Sequence, residues 1–152
     1  MDKLEAIHEF ADECGIDIIN GSFSTTKKAA CLNLKPHKVI VMDKCAINTR
    51  AEEVSILAEE AGHFETGALY VIESTHNMPV ARNNRIKYEA QARNWAYRRY
   101  LAPGEIELGI AHGLGDAFMA AEFCQVTVSF LHKAIEYHRS CGVEFSFDVN
   151  CA

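Results

Sequence analysis

A chain of 152 residues, 49% of them hydrophobic, has the length and core-forming content of one globular unit, so a single domain over 1–152 is expected. Its net charge of −6 argues against broad attraction to phosphate backbones, and direct nucleic-acid binding is not expected. Six scattered cysteines (Cys14, Cys31, Cys45, Cys124, Cys141 and Cys151) form no Cys-x-x-Cys pair, which excludes a zinc ribbon or a dense disulfide framework and suits reduced thiols in a cytosol.

The start, Met1-Asp2-Lys3-Leu4-Glu5, lacks the basic and apolar run of a signal peptide. No segment approaches the roughly 20 apolar residues of a membrane span, so a cytoplasmic protein with no membrane partner is expected. In chain order, Leu4, Ile7 and Ala11 stand at helical spacing, predicting a first helix from about Asp2 to Cys14 with Gly15 as its stop. Ile16 to Phe23 and Ala30 to Met42 read as short strands, the second punctuated by Asn33 and Pro36. Thr49-Arg50-Ala51-Glu52 is a capping box, and a helix runs from it to about His63 with Val54, Leu57, Ala58 and Ala61 as its apolar stripe.

Residues 64 to 84 read as loop, with Leu69 to Ile72 either a strand or a turn of helix. Further helices are expected over Ile86 to Leu101, Gly113 to Phe123 and Val128 to Ser140, followed by a strand-like tail from Val143 to Val149. Trp95 and Phe64 read as core aromatics, and Cys45 and Cys124 as buried thiols.

The chemistry concentrates in Glu59-Glu60-x-x-His63. Two donors at i and i+4 on one helix can bind a single ion, and the residue after the first can aim a carboxylate at the water the ion activates, as in His-Glu-x-x-His. Glu59 and His63 are then the ligand pair and Glu60 the general base. Gly62 costs roughly 1 kcal/mol in a helix interior, which makes sense where another backbone or a ligand comes close. In the following helix Glu89, Ala92 and Ala96 share a face, where small residues permit close packing and Glu89 offers a third ligand. Glu89 also stands four residues before Arg93, the spacing of an ordinary surface ion pair.

Other arrangements compete. Glu5-x-x-His8, Glu60-x-x-His63 and Glu73-x-x-His76 have the spacing of di-iron carboxylate bundles, but the strand-like stretch from 30 to 42 opposes a bundle of four long helices. Asp116 to His138 has the look of a helix-turn-helix, yet Val128 to Ser140 offers chiefly His132, Lys133 and Arg139 to read bases, so packing or partner docking fits better than DNA binding. Tyr70, His76, Arg85 and His112 are all candidates to stabilise an oxyanion, and spacing does not choose among them.

The ordered combination of Ile56-Leu57-Ala58-Glu59-Glu60-Ala61-Gly62-His63-Phe64, Asn84-Arg85, Glu89-x-x-Ala92-Arg93-x-Trp95-Ala96 and Ala121-Glu122-Phe123-x-x-Val126-Thr127 resembles the phage- and mobile-element-borne branch of the ImmA/IrrE metallopeptidases over roughly residues 38 to 139. The resemblance implies a zincin-like α+β domain in which His63 and Glu89 bind zinc and Glu60 is catalytic. It further implies a protein substrate, a helix-turn-helix repressor of the same prophage or mobile element. Glu59 stands where the family more typically has histidine, a variation that recurs in this branch. Two carboxylates and one imidazole make a harder donor set, which should admit manganese or iron as well as zinc. Two rival readings are a pseudoenzyme acting by protein-protein binding and, with less support, a DNA-binding regulator.

Overall fold

The structure is a computed structural model that describes residues 2–67 and 78–147, with side chains described throughout except at 78–82. Six helices and three strands follow in the order α1 (Lys3–Glu13), β1 (Ile16–Asn20), β2 (Ala29–Leu34), β3 (His37–Met42), α2 (Arg50–Glu65), α3 (Met78–Tyr100), α4 (Pro103–His112), α5 (Ala117–Phe123) and α6 (Val128–Ser140). This is an α+β architecture, as expected.

Local signals explain most of these boundaries. Asp2 caps α1 by accepting from the backbone N–H groups of Leu4 and Glu5, and Gly15 leaves the helix in the left-handed region at φ 66°. Thr49 Oγ1 accepts from Glu52 N at the start of α2. The return arm of that box reaches one residue further back than anticipated, because Glu52 Oε2 accepts from Asn48 N. Thr127 and Asp116 cap α6 and α5 in the same way.

The sheet has the order β1-β3-β2. Central β3 runs parallel to β1, with Ile18 opposite Ile40, and antiparallel to β2, with Cys31 also opposite Ile40. β2 and β3 form a hairpin around Lys35 and Pro36, joined by a cis peptide bond, so the stretch from 30 to 42 holds two strands. Ile40 and Met42 are fully buried, together with Ile7, Leu57, Ile106 and Leu131 from the helices and Leu101 from the α3–α4 connection. The core therefore lies between one face of the sheet and the helical layer, with Trp95 half-buried against Phe10, ring centroids 5.3 Å apart.

Several expectations need correction. α3 begins at Met78, eight residues before the predicted Ile86, because Pro79 falls in the first turn, where its missing N–H costs nothing. α4 was not anticipated at all: Pro103-Gly104 reads as a stop, yet Pro103 opens this helix at its first turn and Ile106 and Ile110 supply the buried side. The helix expected from Gly113 begins at Ala117, after a turn over Gly113 to Asp116. Val143 to 147 form no strand, and residues 148 and 149 lie outside the described residues, as do Leu69 to Ile72, Tyr70, Glu73 and His76. Cys45 is exposed, just past the end of β3, whereas Cys124 is fully buried. Among the described residues no helix is long and apolar enough to cross a membrane.

Candidate functional site

α2 packs against α1, β2 and α3. On one side α3 comes so close that a Cβ added at Gly62 would stand 2.3 Å from the carbonyl oxygen of Ala92. Ala92 and Ala96 are fully buried at this contact, so small residues on both helices set the approach. Gly62 therefore has the close-contact role anticipated for it, and the neighbour is backbone.

That approach brings His63 and Glu89 together, with His63 Nε2 and Glu89 Oε2 3.4 Å apart. The imidazole is buried although it belongs to the polar side of α2, because α3 packs across that side. Glu89 also meets Arg93, its Oε2 lying 3.9 Å from the guanidinium, so the surface ion pair anticipated from i, i+4 spacing coexists with the His63 contact.

The two neighbouring carboxylates diverge from there. Glu60 points toward the sheet: its electrostatic surroundings are His63, the Cys31 thiol and Lys27 from the β2 side, and Glu89 from α3. Burial raises its affinity for a proton, opposed by the charge of His63. Glu59 lies between α3 and α6: burial raises its pKa too, while Arg93 and Lys133 act to lower it and Glu60 and Glu89 reinforce the rise. It lines a cavity of about 300 Å³ between α2 and the start of α6, with Ser55, Ile56, Phe130 and Lys133.

Cys31 carries no signal in the sequence that would attach it to this site. The pleat of β2 places it on the same face as buried Ala29, and only the packing of β2 on α2 sets its thiol beside Glu60. Burial and the charge of Glu60 push that thiol up to about 12. Lys133, on the far side, is singled out by the sequence only among the residues of α6 that could read bases, with nothing to attach it to Glu59.

The candidate residues thus lie near one another: Glu60 feels the charges of His63 and Glu89, Glu59 feels those of Glu60 and Glu89, and His63 meets Glu89 directly. Among the described residues no group of three or more His, Cys, Asp or Glu side chains converges closely enough to hold an ion. His63 and Glu89 meet at ion-pair distance, a separation that two donors to one tetrahedral zinc, each about 2.1 Å from it, would share at roughly 3.4 Å. Of the oxyanion candidates, His112 stacks on Phe123 with centroids 4.8 Å apart, in the α4–α5 hairpin, and Arg85 is exposed on α3. Compared with protein-family models, curated proteins and solved structures, the chain matches none.

Proposed function

We propose that this chain is a zincin-like, metal-dependent endopeptidase of a prophage or mobile element, acting in the cytoplasm on a partner protein such as a helix-turn-helix repressor. The observation that carries the reading is the 3.4 Å separation of His63 Nε2 and Glu89 Oε2, contributed by two different helices at the spacing of two donors to one tetrahedral ion. His63, Glu89 and, after a side-chain rotation, Glu59 would hold the ion: zinc, or manganese or iron given the two carboxylates. A divalent ion there supplies Lewis acidity, polarising a peptide carbonyl and making water a nucleophile at neutral pH.

The chain's own groups account for the rest. Glu60 is a carboxylate whose proton affinity is raised by burial, the tuning that suits a group taking a proton from water and returning it to the leaving amine. Cys31 and Lys27 flank it from the sheet side. β2 lies at the edge of the sheet, paired only with β3 among the described residues, so an extended peptide could lie along it within reach of Glu60. Ala92 against Gly62 fixes the distance between α2 and α3 and so positions His63 relative to Glu89.

The second reading, a pseudoenzyme that acts by binding its partner, draws on the absence of a converged three-donor group among the described residues and on Glu59 standing where histidine is more typical. Co-expression with a tagged helix-turn-helix repressor encoded beside this chain tests both. Cleavage by the wild type that is lost in Glu60→Gln, with the metal content of Glu60→Gln unchanged, supports the enzyme. Undiminished cleavage by Glu60→Gln removes Glu60 from its role, and capture of an intact repressor by metal-loaded wild type favours the pseudoenzyme.

A further inference from the structure

The hairpin of α4 and α5 turns an apolar surface outward. Leu108 on α4, Leu114 in the connecting turn, and Phe118, Met119 and Phe123 on α5 are all exposed, Leu114 to 93% and Phe118 to 75%. All five belong to one helical hairpin. His112, one turn after Leu108, stacks on Phe123, and Met119 stands one turn before Phe123 on the same side of α5. Isolated apolar residues are ordinary on a protein surface, whereas five large ones exposed on one short hairpin point to an interaction site.

The support beneath the cluster is closely packed. A Cβ at Gly109 would stand 2.6 Å from Cys124 Sγ, and one at Gly113 would stand 2.9 Å from Ala120 N, so α4 and α5 meet almost backbone to backbone. Leu114 has φ 51°, in the left-handed region that glycine enters without strain. A leucine held there with its side chain in solvent contributes nothing to packing, so its presence is explained by what it presents rather than by what it stabilises.

Charge selects the partner. From Tyr100 to His132 the chain has no lysine or arginine but carries Glu105, Glu107, Asp116 and Glu122. Lys3 of α1 pairs with Glu105, which leaves Glu107, Asp116 and Glu122 as the charges this hairpin itself contributes. We propose that the α4–α5 hairpin is a docking surface for a basic amphipathic helix of a partner protein. The partner's apolar side chains seat on Leu114, Phe118 and Phe123, and its lysines or arginines face Asp116 and Glu122. A second copy of this chain would set acid against acid, and an anionic lipid surface would be repelled in the same way. The proposal does not depend on the metal site.

Fluorescence anisotropy with a labelled leucine–lysine amphipathic helical peptide, and with the same peptide carrying glutamate for lysine, tests this on the full chain. The lysine peptide should bind saturably, at least about tenfold more tightly than the glutamate peptide, and more weakly as salt rises. Leu114→Ser and Phe118→Ser should each weaken it at least about fivefold while leaving thermal unfolding unchanged, because both side chains are solvated. Equal binding of the two peptides, no saturable binding, or unaffected variants would each overturn the proposal. So would a sedimenting dimer dispersed by Leu114→Ser, which assigns the face to a second copy, or vesicle binding lost in Phe118→Ser, which assigns it to lipid.

Discussion

Gly62→Ala is the sharpest test of how α2 and α3 fit. The added methyl would lie 2.3 Å from the oxygen and 2.9 Å from the carbonyl carbon of Ala92. Ordinary contacts need about 3.5 Å, so α3 must withdraw by roughly 1 Å, and no rotamer change relieves a clash with backbone. Overpacking of this kind costs up to about 3 kcal/mol, and the better helix propensity of alanine returns about 1, leaving a net loss of about 2 kcal/mol. At 2–4 °C per kcal/mol for a chain of this size, the melting temperature falls by about 4–8 °C. Thermal unfolding followed by circular dichroism in chelator measures this without any contribution from bound ions. Gly104→Ala is the matched control, because nothing lies within 4 Å of its Cβ position, and it should melt at or above the wild type. A Gly62→Ala variant that melts with Gly104→Ala would refute the close helix contact and with it the spacing of His63 and Glu89.

Three further outcomes follow from the same structure. Ser55→Ala removes the hydroxyl that accepts from Thr127 N at 3.1 Å and donates to Ala51 O, leaving the Thr127 N–H unpaired next to the cavity; chemical denaturation should show a loss of about 1–2 kcal/mol, and an unchanged midpoint would contradict it. Thiol labelling of the native protein at pH 8 should modify exposed Cys45 and Cys141 rapidly and spare Cys124, which is buried and pushed up to about 11, so that only roughly one thiol in a thousand is ionised; modification of Cys124 at the rate of the exposed pair would count against its placement. Glu59→His should tighten zinc by at least about tenfold in a chelator competition, since a second imidazole softens the donor set, and weaker binding would exclude Glu59 as a ligand.

What could be read from the chain was local. Gly15, Thr49 and the period of Leu4, Ile7 and Ala11 define α1 and α2 because capping and amphipathic spacing act within a few residues. The pairing of α2 with α3 was legible in Gly62, Ala92 and Ala96, small residues whose spacing only makes sense where backbones approach. The ambiguous signals were proline and glycine: Pro103-Gly104 looks the same as a stop or as the first turn of α4, and Pro79 is equally at home in a loop or opening α3. Long-range packing was not legible. Nothing local ties Cys31 to Glu60 or Lys133 to Glu59, and the burial of His63 depends on α3 covering the polar side of α2. Nor does spacing reveal that Glu59 turns toward α6 while Glu60 turns toward β2, which decides which carboxylate faces which neighbour.

The central claim is that α2 and α3 bring His63 and Glu89 to one ion. Elemental analysis by inductively coupled plasma mass spectrometry, after equilibration with equimolar zinc or manganese and desalting, measures it directly. The account predicts one ion per wild-type chain and almost none in His63→Ala or Glu89→Ala, with all three proteins folded. A wild type that holds no ion, or a His63→Ala variant that holds as much as the wild type, would contradict it.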